Sequence, residues 1–287
     1  MQLIGQFLGT SAAEGIPAPF CQCENCREAR EKKGVYQRRR SSFRVSDTMI
    51  LDLGADAVTQ AMEYGNMTAI NHVLVSHTHD DHLNPHMMME ALWSRRDRSG
   101  PLHYYFTDQA YEIVKCWMEN EWILKGMVAG WVRDGIVAFH QLQYGERTVI
   151  DGMGVTPFKG NHQGNMKENS ALYLLELPDG RKLFYGLDSG PYYPETLEAL
   201  KNHRIDILIS EATRGTLPHV PGLTHMDLQD VLRLAEQLYG QGTLHEESVL
   251  YLTHVNHHTG HDAMMKKVKE LDFPVPTIVA YDGLCIL

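Results

Sequence analysis

The segment from Val73 to His82 constrains the fold most. A short apolar run, Val73–Ser76, leads straight into His77-Thr78-His79-Asp80-Asp81-His82. The same punctuation recurs along the chain. His162 follows Val155–Phe158, Asp188 ends Lys182–Leu187, and His254 ends Val249–Thr253. Leu3–Leu8, Thr48–Leu53, Ala171–Leu177 and Ile205–Ser210 are further runs of strand length, several rich in Val, Ile and Tyr. Strand ends lie on one edge of a sheet, so residues distant in sequence converge there on a rigid scaffold.

Helical periodicity marks Pro85–Arg98, Asp108–Val128, Pro194–Asn202, Met226–Leu238 and Asp262–Leu271. In the Met226 segment, Leu228, Val231, Leu232, Ala235 and Leu238 form a single stripe. Strands grouped between helices predict an α/β sandwich, with sheets enclosed by helices. The 287 residues contain no low-complexity tract, linker or repeat, which predicts one domain over 1–287. The stretch 93–144 carries Trp93, Trp117, Trp122 and Trp131 and reads as a helical insertion with its own core. A substrate lid or a dimer contact is the alternative, which leaves a homodimer open.

The net charge of −10 argues against a grip on long nucleic acid, whose affinity comes mainly from neutralising phosphates. Arg38-Arg39-Arg40 is the basic run; it reads as a solvated loop or as capture of one small phosphate. The start, MQLIGQFLGTS, lacks the charged and long apolar regions of a signal peptide, and no run reaches membrane-span length. A cytoplasmic protein with no membrane partner is expected. In such a reducing compartment, Cys21, Cys23 and Cys26 point to metal or redox chemistry rather than a disulfide frame.

Alternation lets His77 and His79 point to one side of an extended turn, with Asp81 and His82 opening a helix as a second ligand group. Imidazole and carboxylate together suit zinc, manganese or iron. Three thiolates in six residues suit one soft metal, and a closed tetrahedral zinc site takes a fourth ligand. His225 opens the amphipathic Met226 segment and reads by itself as an exposed histidine near a helix start. His72, His86, His103, His140, His203, His219, His245, His258 and His261 read as surface or packing residues.

The H-x-H-x-D-H pattern resembles the metallo-β-lactamase superfamily, and further matches follow in the family's order. Asp52 in Leu51-Asp52-Leu53-Gly54 matches the first motif, an acidic residue that supports the site. His162, Asp188 and His254 match the third, fourth and fifth. The resemblance implies an αββα sandwich of two mixed sheets flanked by helices. It implies two catalytic divalent metals, zinc or manganese: one held by His77, His79 and His162, the other by Asp81, His82 and His254, with Asp188 touching both.

A narrower likeness is to the phosphoribosyl cyclic phosphodiesterases of the carbon–phosphorus lyase pathway and their relatives. These carry C-x-C-x-x-C after a G-T-x-x-x-x-G-x-P segment, here Gly9 to Pro17, and a His-x-x-His near the C-terminus. The likeness implies a structural zinc on Cys21, Cys23, Cys26 and His257, and a phosphate contact or acid at His225. A protein of pyrroloquinoline quinone biosynthesis shares the cysteine cluster. The expected function is a dinuclear-metal phosphodiesterase acting on a small cyclic or sugar-linked phosphodiester. A hydroxide held between the metals would be the nucleophile, and His225, Asp81 and Asp52 the catalytic set. The alternatives are a hydrolase of another ester or thioester, and a non-catalytic metal-binding carrier of cofactor biosynthesis.

Overall fold

The computed structural model describes residues 1–65, 67–95, 100–119 and 127–287. Six strands form the first sheet in chain order: β1 (Leu3–Gly9), β2 (Ser42–Ser46), β3 (Met49–Leu51), β4 (His72–Leu74), β5 (Leu102–Thr107) and β6 (Val137–Leu142). Between them run α1 (Glu24–Lys32), α2 (Ala57–Tyr64), α3 (His86–Ser94), α4 (Asp108–Glu119) and α5 (Met127–Arg133). The second sheet holds β7 (Thr148–Ile150), β8 (Met153–Gln163), β9 (Asn169–Glu176), β10 (Lys182–Gly186), β11 (Ile207–Glu211), β12 (Val249–Thr253) and β13 (Thr277–Val279), again in sequence order across the sheet. Its helices are α6 (Pro194–Leu200), α7 (Leu228–Gly240) and α8 (His261–Lys269). Both sheets are mixed: β1–β2–β3 and β7–β8–β9–β10 pair antiparallel, while β3–β4–β5–β6 and β10–β11–β12–β13 pair parallel.

Alternation along each strand divides the core into three layers. Leu74, Tyr105 and Leu142 of the first sheet meet Tyr173, Leu183, Tyr185, Ile207 and Ile209 of the second. Between these positions, Val73, Tyr104 and Phe106 point the other way, onto Ala57, Met88, Val114 and Trp131. Leu174, Phe184, Leu208 and Leu252 do the same toward Leu200, Val231, Ala235, Leu238 and Met264. Each sheet is therefore apolar on both faces, which is why its central strands read as continuous apolar runs. The order of layers is helix, sheet, sheet, helix, as the resemblance implies.

The stretch 93–144 differs from the expected helical insertion. It supplies β5 and β6, which extend the first sheet in parallel register, and α4 and α5 cover that sheet's outer face. Trp131 packs into this layer, while Trp93 is exposed. Trp122 and parts of the expected helices Pro85–Arg98 and Asp108–Val128 lie outside the described residues. No helix among the described residues is long and apolar enough to cross a membrane.

Candidate metal centre

Asp52, Asp188 and His254 each sit at or just past a strand end with positive φ, +61°, +47° and +55°. Such backbone costs of order 1–3 kcal/mol per non-glycine residue and persists where the surroundings impose it. Here it turns three side chains from the sheets toward one place. His77, His79, Asp81 and His82 lie in the turn after β4, and α3 begins only at His86, so Asp81 and His82 precede the helix rather than open it. Two bonds tie that turn to itself, His82 N–H and Leu83 N–H donating to the His79 carbonyl at 3.0 and 2.8 Å. His162 lies inside the long strand β8, within an irregularity of pairing between Lys159 and Gln163.

These residues assemble as two adjoining groups. His77 Nε2 and His79 Nδ1 are 2.9 Å apart, and His162 Nε2 is 3.4 Å from His79 Nδ1. His82 Nε2 lies 2.8 Å from Asp188 Oδ2 and 3.1 Å from Asp81 Oδ2, while His254 Nε2 is 3.1 Å from Asp188 Oδ2. His82 Nε2, His254 Nε2 and Asp188 Oδ2 are all buried, yet none has a hydrogen-bond partner. Each imidazole is engaged instead through its other nitrogen: His82 Nδ1 with Asp52 Oδ2 at 2.7 Å, His254 Nδ1 with the Thr213 hydroxyl at 2.8 Å. Convergence of buried ligand atoms on one place is what a cation site requires, and outer partners of this kind set the tautomer of a ligating histidine. Asp188 belongs to clusters on both sides, grouping with His77 and His82 and also with His162 and His225.

The electrostatics fit the same reading. Burial, with the charge of His82, pushes His77 well below the usual imidazole range, and burial lowers His79 and takes His162 down to about 4. These three are neutral, the form that ligates metals. Burial also disfavours charge on His82, but Asp81, Asp188 and Asp52 overcome it and hold its pKa well above the usual range. Burial raises Asp81 and Asp188, yet His82 and His254 hold both carboxyls below the usual range.

Asp52 works from behind. Fully buried, it accepts from Ser76 N–H at 2.7 Å, from the Tyr185 hydroxyl at 3.2 Å and from His82. It is a positioning residue. Gly54 follows, and a Cβ there would meet the Asp81 carbonyl oxygen at 2.1 Å, so only glycine lets these two loops cross.

His225 lies outside the ligand groups but beside them, its Nδ1 3.8 Å from Asp188 Oδ1 and its ring 4.6 Å from that of His162. It precedes the N-cap of α7, Asp227, and does not open the helix itself. Both oxygens of Glu211 stand 3.2 Å from its Nδ1. Burial opposes a charge on this imidazole, but Glu211, Asp188 and Asp81 raise it to about 9. Glu211, buried at the end of β11, also accepts from Ser189 N–H at 2.7 Å and from the hydroxyl of Thr213, which holds His254. One carboxylate thus joins the loops of Asp188, His225 and His254. Sequence reading missed it, although it ends a strand run as Asp188 and His254 do. Glu168, also missed, braces the metal-site turn by accepting from the backbone N–H and hydroxyl of Thr78.

A separate cluster joins the N-terminal loop to the turn after β12. Cys21, Cys23, Cys26 and His257 present ligand atoms all within 4.8 Å of one another. His257 Nδ1 is 3.7 Å from Cys23 Sγ and 3.6 Å from Cys26 Sγ. Zinc–sulfur and zinc–nitrogen bonds at a tetrahedral angle would put such atoms about 3.5 Å apart. Of the other candidates for the fourth ligand, His261 faces Arg38, His225 faces Glu211, and His258 lies against the His257 ring at 3.9 Å. The arginine run is committed internally: Arg38 is buried against Thr10 and the Ala280 carbonyl, Arg39 pairs with Asp282, and Arg40 with Asp56.

Similar folds are known. A diphosphatase described as new and from the PhnP family is 20% identical with a TM-score of 0.73, the match covering 100% of this chain and 98% of that one. Zinc-bound PqqB from Methylobacterium extorquens is 17% identical with a TM-score of 0.72, covering 99% and 100%. The short form of human tRNase Z is 18% identical with a TM-score of 0.64, covering 99% of each chain. No curated protein sequence matches the chain. Residues 48–269, which hold all seven residues of the two histidine–aspartate groups, match the family described as the beta-lactamase superfamily domain, and the chain belongs to that family.

Proposed function

We propose that the chain is a metal-dependent phosphodiesterase acting on a small cyclic or sugar-linked phosphodiester. The observation that carries this reading is His225, a histidine outside both ligand groups, beside Asp188 and backed by Glu211. His77, His79 and His162 would hold one divalent cation, Asp81, His82 and His254 a second, and Asp188 both. Zinc or manganese, if held there, would supply an activated water near neutral pH and charge stabilisation for phosphate oxygens. The remaining work falls to the protein. Asp52 and Thr213 fix the two imidazoles nearest Asp188 through their Nδ1 atoms. Glu211, which is outside the ligand groups, favours the charged form of His225. That imidazole can pass its proton to the departing oxygen, help typically worth about 10²–10⁴-fold.

The net charge of −10 supports a small substrate over a polynucleotide. A diphosphatase among the similar folds accords with phosphoryl chemistry. The test loads purified protein with zinc or manganese and offers bis(p-nitrophenyl) phosphate, a ribosyl cyclic phosphate, a thioester and a β-lactam. Turnover of the diesters with little of the others is expected. Thioester or lactam turnover without diester turnover would overturn the substrate class, and no turnover of any would favour a carrier.

A further inference from the structure

Shortly after His162 the chain makes the turn Asn165–Lys167, with two successive non-glycine residues at positive φ, Met166 at +50° and Lys167 at +64°. Such backbone is unfavourable for any residue with a Cβ and persists where the surroundings impose it. Here the metal-site turn imposes it. Asn165 Nδ2 donates to the Thr78 carbonyl at 2.6 Å, and Glu168 accepts from the N–H and the hydroxyl of Thr78. Gly164 N–H and Glu168 N–H close the turn on the carbonyls of Glu168 and Asn165 at 2.9 and 3.1 Å. Met166 gains little packing from this, being 76% exposed. The anchored turn therefore holds an apolar side chain in solvent beside the histidines that flank Thr78.

A second loop, residues 218–224, leads into His225. It is pinned at its start, where Arg214 donates to the Pro218 carbonyl at 2.8 Å and His219 Nδ1 lies 2.9 Å from Asp227 Oδ2. Further on it closes over Gly190, where a Cβ would meet the Leu223 carbonyl oxygen at 2.5 Å and Thr224 Cα at 3.1 Å. Gly190 N–H in turn donates to the Asn161 carbonyl at 3.0 Å. Yet Val220 and Leu223 are 44% and 37% exposed. The rings of His162 and His225 are 4.6 Å apart, so the two loops next to them flank one opening. Single exposed apolar side chains are ordinary on a surface; three of them on two braced loops around a polar centre mark contact with something outside the chain. From this arrangement we infer that Met166 and Leu223 are specificity-determining residues that contact a flat aromatic substituent, aryl or nucleobase, on the phosphodiester. The inference rests on the phosphodiesterase reading and narrows its substrate to diesters carrying such a group. An aromatic face is apolar and suits leucine, and a thioether sulfur makes favourable contacts with aromatic rings.

The experiment uses the full chain loaded with zinc or manganese. It compares kcat/KM for bis(p-nitrophenyl) phosphate and methyl p-nitrophenyl phosphate, which lose the same group and differ in the one retained. The vicinal cyclic phosphates of adenosine and of ribose make the same comparison for a nucleobase. Intrinsic reactivity cancels when the ratio in the parent is divided by the ratio in a variant. Met166→Ser and Leu223→Ser are each expected to lower one of these aromatic preferences about tenfold, the size of a small apolar contact. Loss in the aryl pair assigns the contact to an aryl group, loss in the adenosine pair to a nucleobase. Met166→Leu should keep most of the preference, and Met62→Ser, altered at an exposed methionine on α2, should keep all of it. Calorimetric binding of phenylphosphonate against methylphosphonate should lose its ratio in the same two serine variants. Turnover of the diesters with both ratios unchanged in Met166→Ser and Leu223→Ser overturns this inference alone. No turnover of any of the four diesters overturns the phosphodiesterase reading and the inference with it.

Discussion

Asp188 lies between the two groups, one oxygen toward His82 and His254, while it also clusters with His77 and with His162. Its removal therefore unbalances both sides of the centre. Asp188→Ala is expected to lower metal content and abolish turnover while the chain stays folded, as read by metal analysis and circular dichroism. A variant that keeps two metals and full activity contradicts the shared role. His225 differs in kind, because its partner is Glu211 rather than a ligand. His225→Ala should keep normal metal content and lose about 10²-fold or more in turnover. Loss of metal, or parental speed, would remove it from catalysis. The residues that gather at this centre were legible in the sequence because each follows an apolar run, and because four of them crowd into the six residues from His77 to His82. Glu211 was not legible, since a single glutamate between Ser210 and Ala212 has no ligand spacing around it. Only the fold shows that three loops meet on its two oxygens.

At the scale of elements, the site depends on how closely the turn after β3 approaches the turn after β4. Leu53 N–H donates to the His82 carbonyl at 2.8 Å, Asn84 N–H to the Leu53 carbonyl at 3.2 Å, and Gly54 lies over the Asp81 backbone. A methyl at Gly54 must push the Asp81 carbonyl away, and backbone in a paired turn yields poorly. Gly54→Ala is expected to weaken catalytic metal binding by at least about tenfold, with a smaller change in melting temperature; unaltered metal titrations would show that the turns can part. Strands such as β10, β11 and β12 were legible from composition, since burial on both faces leaves long apolar runs. β5 and β6 were not. Leu102–Thr107 and Val137–Leu142 mix histidine and glutamine with aromatics and lie between helical stretches, so the local pattern favours an insertion. Their place in the sheet comes from pairing with β4, a contact that periodicity does not reveal.

On the scale of the whole molecule, both chain ends close on the same sheet. Ile286 N–H donates to the Gly5 carbonyl at 2.7 Å and Phe7 N–H to the Leu284 carbonyl at 3.0 Å, while buried Asp282 accepts from Thr10 and from Arg39 N–H, each at 2.6 Å. Burial raises the Asp282 carboxyl from 3.8 to about 6. A folded pKa above the unfolded one gives stability that is full below about pH 4 and lost as pH rises through about 6, here about 3 kcal/mol. The melting advantage of the parent over Asp282→Asn should thus be largest near pH 4 and shrink by pH 7; an advantage that grows with pH would reverse the sign. The second closure is the cysteine cluster, which ties the loop before α1 and the first turn of α1 to the turn after β12, three residues from His254. A zinc held there by Cys21, Cys23, Cys26 and His257 would contribute directly to folding free energy and brace His254 from its far side. Its removal should act on stability first. Purified protein is expected to keep one zinc that resists mild chelation after the histidine–aspartate centre has been stripped. The Cys21→Ser/Cys23→Ser/Cys26→Ser variant should lose that zinc alone and melt earlier, and His257→Ala should do the same to a lesser degree because three thiolates remain. Equal zinc content in parent and triple variant would detach the cluster from any metal and leave His254 without that support.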